Sequence, residues 1–178
     1  MKLTPTQQKF ILHWGEMGTR WGINRTVAQI HALLYLSAEP VNAEEIAKTL
    51  AVARSNVSTS LRELQSWGIV KVVHVLGDRR DHFECMKDVW EMFRIVIEER
   101  KRREVDPTLA MLRTSVAELE HSGSGDTYTR ERLREMLDFF ETMTSFYGEI
   151  DRLPRGTLRQ AAKLRGKVRK VLGFPAAG

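Results

Sequence analysis

Apolar residues recur at helical spacing along most of this chain and give way to a β-like run only once. After Thr4-Pro5, a good helix start, Phe10, Ile11, Trp14, Met17 and Gly18 form one stripe and predict a helix over 5–20. The segment GTRWGIN breaks the pattern. Asn24 then caps a second helix over about 25–37, with Val27, Ile30, Leu33, Leu34 and Leu36 on its apolar side, ended by Ala38, Glu39 and Pro40. Asn42 with Glu45 resembles a capping box and opens a short helix that turns Ile46, Ala47 and Leu50 inward. Ala51 to Arg54 make a turn, and another helix runs from Arg54 or Ser55 to Trp67, with Gly68 free to take the positive φ that ends it. Ile69 to Val75 is short and β-branched, Leu76 to Asp81 is a charged tip around Gly77, and His82 to Met86 returns as the partner strand.

Beyond this module the period is helical again. Asp88 caps a long helix over about 89–120, with Pro107 expected to break or kink it. A turn at Ser122–Asp126 leads to a helix over about 127–148, with Leu133, Met136, Leu137, Phe140, Met143 and Tyr147 on one side. Pro154 interrupts the chain before a basic helix over 156–172. The predicted fold class is mainly α with a small β-hairpin wing, a winged helix-turn-helix, plus C-terminal dimerisation helices. Its expected parts are residues 1–87, a helical dimerisation region over 88–150 and a basic tail over 151–178.

At 100° per residue, Val57, Leu61 and Leu64 fall within about 60° of one another. They form the buried stripe of the helix at 54–67, and Ser55, Thr59, Arg62 and Ser66 lie opposite. Asn56, Ser58 and Glu63 flank that face. Short polar side chains let a helix backbone approach a major groove, and Ser, Thr, Asn and Arg offer donors and acceptors to base edges and phosphates. Arg54 stands at the helix N-terminus, where backbone N–H groups also favour a phosphate. Arg79 and Arg80 at the hairpin tip would reach phosphates or the minor groove beside it, with Asp78 and Asp81 holding them in place. The candidate DNA-binding residues are therefore Arg54, Ser55, Asn56, Ser58, Thr59, Arg62, Arg79 and Arg80. Trp67 reads as a packing residue rather than a stacking platform.

The run EEIAKTL…VARSNVSTSLRELQSWGIVK…GDRRDHFECMKDVW resembles the MarR superfamily of winged-helix regulators, and WGEMGTRWGINRT at 14–26 resembles its GbsR-like branch. The similarity covers about residues 5–145. It implies a homodimer on operator double-stranded DNA, often responsive to a small molecule, with contacts at Ser55, Asn56, Ser58, Thr59 and Arg62 of the helix and Arg79 and Arg80 of the wing. Some members of the branch respond to choline, a cation that an aromatic cage would suit. Trp14, Trp21, Trp90 and Phe93 are candidate walls for such a ligand, but aromatic core and dimer packing is the favoured role for them. Choline is not carried over to this chain.

Charge sharpens the picture. Of the net +5 over 178 residues, 1–87 carry 11 Lys and Arg against 8 Asp and Glu, 88–151 carry 9 against 15, and 152–178 carry 8 against none. The basic surplus lies at the reading module and the tail, and the acidic middle should avoid phosphates. The tail is compatible with an auxiliary DNA arm, with docking on the acidic helices of a partner, or with a membrane-surface helix. The helices over 89–148 offer more apolar surface than one small winged domain can bury, which predicts a two-fold interface. No apolar run is long enough to span a bilayer and MKLTPTQQKF lacks a secretory stretch, so a cytoplasmic protein without membrane partners is expected. Cys85 is the single cysteine, better read as packing than as a redox sensor, and the five histidines show no metal-ligand spacing with it. No metal, cofactor or enzymatic constellation is expected. The reading is a dimeric DNA-binding regulator, expected to be a repressor because a wing and dimer occlude promoter DNA. Its alternative is a winged-helix protein-interaction module, against which Arg79 and Arg80 argue.

Overall fold

The computed structural model describes residues 1–121 and 126–152. The residues are mainly helical, with one small three-stranded antiparallel sheet. The chain forms two compact units divided between Ile95 and Val96.

The first unit follows the local signals closely. Helix α1 (Pro5–Arg20) opens with a complete capping box, in which the Thr4 hydroxyl accepts from the Gln7 N–H at 3.2 Å and the Gln7 side chain accepts from the Thr4 N–H at 2.9 Å. Helix α2 (Arg25–Leu36) is capped by Asn24, whose Oδ1 accepts from Thr26 N at 2.8 Å. Helix α3 (Ala43–Leu50) is capped by Asn42, which accepts from Glu44 N and Glu45 N at 3.1 and 3.0 Å. The reciprocal half of the expected capping box is replaced: the Glu45 carboxylate lies 2.8 Å from the Met1 amino group. Ala51 closes α3 in the left-handed region at φ 52°, and α4 (Arg54–Ser66) begins three residues later.

The sheet is larger by one strand than the hairpin predicted. Strands β2 (Val70–Val73) and β3 (His82–Cys85) form the wing, shorter than the apolar run at 69–75 suggested. The two-residue strand β1 (Val41–Asn42) pairs with β3 in the register Val41↔Phe83 and Asn42↔His82, giving the order β1-β3-β2. Two residues have no detectable period, so only the tertiary structure reveals the strand.

The core of this unit is built by Ile30, Leu33 and Leu34 of α2, Ile46 of α3, and Val57, Leu61 and Leu64 of α4, each 2% exposed or less. Burial of such side chains stabilises by about 1.5–3 kcal/mol each, which holds α4 firmly by one face. Lys87 fixes the far end of α2: its Nζ donates to the carbonyls of Leu34, Tyr35 and Ser37, each at 2.8 Å. These carbonyls lie at a helix C-terminus, where a cation also complements the dipole.

Asp88 caps α5 (Val89–Arg100) as expected, accepting from Trp90 N and Glu91 N at 3.0 and 3.2 Å. The single helix predicted over 89–120 is three pieces: α5, a π-helical turn at Lys101–Val105, and α6 (Asp106–His121). Pro107 has no N–H to donate and its ring crowds the carbonyl four residues back, so the wide turn just before it is the physical response.

In the second unit α6 packs on α7 (Thr127–Asp151), which Asp126 caps through Thr129 N at 3.0 Å. Leu109, Leu112 and Val116 of α6 are buried, and Arg113 meets Glu141 of α7 at 2.9 Å. Leu133, Leu137, Phe140 and Tyr147 are half-buried, as their stripe predicts. Met136 and Met143, on that same side, are exposed in a row with Phe139 and Phe146, part of the apolar surplus expected of these helices. Most of the turn at Ser122–Asp126, the Pro154 break and the basic tail lie outside the described residues.

Candidate nucleic-acid interface

Helix α4 presents two chemically distinct faces. Val57, Leu61 and Leu64 are buried, joined by Ser60 at 4% exposure, which sits at the edge of the same angular stripe. Arg54, Ser55, Asn56, Ser58, Thr59 and Arg62 are all exposed. The Arg62 guanidinium reaches back along the helix to the Thr59 hydroxyl at 3.4 Å, and the Ser66 hydroxyl donates to the Glu63 carbonyl at 2.7 Å. No side chain caps the helix N-terminus at Ala53, so its first N–H groups stay available beside Arg54. Trp67 is half-buried at the C-terminus, where Gly68 at φ 73° turns the chain into β2.

The wing brings a second set of charges beside this face. Arg79 is exposed and makes no ion pair among the described residues. Arg80 is exposed but held: its Nε lies 2.9 Å from Asp78 Oδ1, and its backbone N–H donates to the same oxygen at 3.0 Å. Hydrogen bonds from the Arg80 side chain and backbone keep the Asp78 carboxyl well below the usual carboxylate range. The same contact, assisted by Glu44, raises Arg80 above its ordinary value. Asp78 thus takes the holding role expected of it toward Arg80, while Asp81 is exposed at the start of the return strand. Leu76 stands wholly exposed at the tip.

Between α4 and the wing lies an open groove of about 550 Å³, lined by Arg54, Ser58, Arg62 and Gln65 on one side and by Val72, Arg80 and Asp81 on the other. Glu44 closes one end, with Oε1 at 3.2 Å from Arg54 and Oε2 at 3.4 Å from Arg80. The sequence reading missed this residue. An acid in the first turn of a helix complements the dipole, so its type and position carry no sign of a distant partner. Only the pairing of β1 with β3 brings that turn beside the wing.

The candidate ligand walls separate into two groups. Trp14 stacks on Phe10 at 5.4 Å between ring centroids and meets Trp21 edge to face at 5.9 Å. Its indole N–H donates to His31. Trp90 and Phe93 stand exposed on α5. Cys85 is 2% exposed, and burial pushes its thiol up to about 11, so it packs rather than reacts. Among the described residues no helix is long and apolar enough to cross a membrane.

Comparison with known proteins meets this geometry from outside. Residues 21–81, from the end of α1 through the wing arginines, match the model of the MarR family. The chain is 23% identical over 135 residues to the HTH-type transcriptional repressor GbsR of Bacillus subtilis (strain 168), covering 76% of this chain and 74% of that protein. A solved structure described as a transcriptional regulator shares the fold with a TM-score of 0.63 and 24% identity, over 82% of this chain and 95% of that one. A transcriptional regulator from Thermotoga maritima covers 83% of this chain and 92% of its own at 18% identity, but with a TM-score of 0.39 it carries no weight. Residues 21–81 are thus similar to the MarR family, and the chain over three quarters of its length is similar to the repressor GbsR.

Proposed function

We propose that the chain is a sequence-specific DNA-binding transcriptional regulator that acts as a dimeric repressor. Helix α4 enters the major groove, and the wing at about 76–82 rests on the backbone or in the minor groove. The observation that carries this reading is the shared surface of α4 and the wing, where Arg54, Ser58, Arg62 and Arg80 line one groove. The buried stripe of α4 anchors the helix in the core, so its polar face is offered on a rigid element rather than on a loop. Roles divide by chemistry. Ser55, Asn56, Ser58, Thr59 and Arg62 face base edges, whereas Arg54 and Arg79 face phosphates. The repressor assignment draws on the name of the Bacillus subtilis relative, and on a design in which a dimer with two wings covers promoter DNA.

Binding to duplexes selected from a random-sequence pool, measured by fluorescence anisotropy across a salt series, tests the reading. A dimer that neutralises about 6–10 phosphates should lose about three to five decades of affinity between 50 and 200 mM salt. Recovery of no preferred duplex, or a flat salt response, would overturn it.

A further inference from the structure

The groove between α4 and the wing contains a carboxylate that the proposed function does not call for. Glu44 is 61% exposed and touches both sides: one oxygen holds Arg54, the first residue of α4, and the other holds Arg80 of the wing. Asp78 takes the remaining donors of Arg80. The four groups form a chain of alternating charge, Asp78–Arg80–Glu44–Arg54, whose two cations are balanced by two anions. Arg62 and Arg79 make no ion pair among the described residues. A carboxylate facing a phosphate backbone subtracts from attraction on every duplex alike. A penalty common to all sequences is offset only where base contacts add to binding, so it widens the gap between fitting and unfitting sites.

We propose that Glu44 is a specificity-determining positioning residue, which braces Arg80 of the wing against Arg54 of α4 and withholds both from indiscriminate phosphate binding. The inference rests on the DNA-binding reading and deepens it. A phosphate reaches Arg80 or Arg54 by displacing one Glu44 oxygen, and the exchange is favoured when α4 is seated on its own sequence. The 3.2 and 3.4 Å separations are loose enough for that exchange, and both guanidinium groups are more than half exposed.

Glu44→Gln keeps the size of the side chain and removes its charge, at a position outside the core. Anisotropy titrations of the full chain would use one duplex selected by the wild type and one unrelated duplex of equal length. The expected result is a gain on the order of tenfold on the unrelated duplex, with a smaller change on the selected one, so that the preference narrows. The salt slope on the unrelated duplex should steepen by about one phosphate equivalent, ~0.9, per protomer. Because Glu44 acts through Arg54 and Arg80, the gain should shrink to within about twofold when Glu44→Gln is made in a background carrying both Arg54→Gln and Arg80→Gln. Thermal melting confirms that each variant is folded. Wild-type slope and preference in Glu44→Gln overturn the proposal, as does a full gain that persists without both Arg54 and Arg80. A wild type that prefers no duplex overturns the DNA-binding reading itself, which separates the two failures.

Discussion

The indole N–H of Trp14 donates to Nδ1 of His31 at 3.1 Å, and that bond decides which nitrogen of the buried imidazole carries the proton. With Nδ1 accepting, the neutral ring is protonated at Nε2, which lies 2.8 Å from Sδ of Met92. His31 thereby joins α2 to α1 on one side and to α5 on the other. It is 9% exposed, and burial, with the nearby Lys87 ammonium adding to it, lowers its pKa from 6.5 to about 4.

A pH dependence of stability follows. The unfolded chain takes up a proton on His31 as pH falls through 6.5, whereas the folded chain resists until about 4. The unfolded state therefore binds more protons between these values, and stability rises with pH across the window. The contribution is complete above 6.5 and is lost as pH falls through about 4, amounting to about 3 kcal/mol. Urea unfolding at pH 7 and pH 4 should give wild type a larger drop than His31→Gln by roughly that amount. Equal drops would mean that His31 is not held neutral.

The wing and the helix should respond differently to substitution. Arg79 has its charge unneutralised among the described residues, so Arg79→Ala should weaken binding to all duplexes alike and flatten the salt slope by about 0.9 per protomer. Thr59→Ala or Arg62→Ala should instead change the preferred sequence, at about 1–3 kcal/mol for the affected base pair. Selection experiments on each variant read the difference. A common loss without a change of preferred sequence in all three would remove the division of roles between α4 and the wing.

Helix α7 carries an apolar row that the other described residues leave exposed. Met136, Phe139, Met143 and Phe146 are spaced three, four and three residues apart and are 49–62% exposed. That is the spacing of a helix seam, and a second copy of the chain is the expected cover. Light scattering of the wild type should give about twice the 20.5 kDa chain mass. Phe139→Glu with Phe146→Glu should shift the mass toward one chain and weaken DNA binding. A dimer untouched by both charges would place the interface elsewhere.

Two left-handed positions in the reading module offer a matched pair of backbone tests. Ala51 ends α3 at φ 52° and bears the steric cost of a Cβ there. Gly68 ends α4 at φ 73°, with nothing within 4 Å of where a Cβ would stand. Ala51→Gly should therefore stabilise and Gly68→Ala destabilise, each by roughly 1 kcal/mol. Thermal melting of the two variants should move in opposite directions.

The elements of the first unit are legible because their signals are local. Thr4, Asn24, Asn42 and Asp88 each accept a bond from an N–H two or three residues ahead, so type and spacing locate the helix starts. The stripe of Val57, Leu61 and Leu64 follows from the helical period alone. What escaped detection depends on partners far along the chain. The strand at Val41–Asn42 exists through residues 82 and 83, the Lys87 cap closes on carbonyls some fifty residues earlier, and Glu44 meets Arg80 across 36 residues. The exposed row of α7 is legible only in part, for a related reason. Met136 and Met143 are as apolar as Leu133 and Leu137, and the period cannot say which of two adjoining apolar rows finds cover within one chain.

The pairing of Val41 with Phe83 has a bearing on how such a module could be moved between proteins. That short strand joins the residue before α3 to the return strand of the wing, so everything from 41 to 83 is enclosed in one loop of chain. A helix grafted alone would leave behind the hairpin edge and the Glu44 contact that set its neighbours. The smallest transplantable cassette is therefore the whole enclosed loop, and its assembly waits on the most non-local contact in it. Swapping recognition specificity by exchanging polar residues on α4 should leave that closure intact, whereas trimming the wing should not.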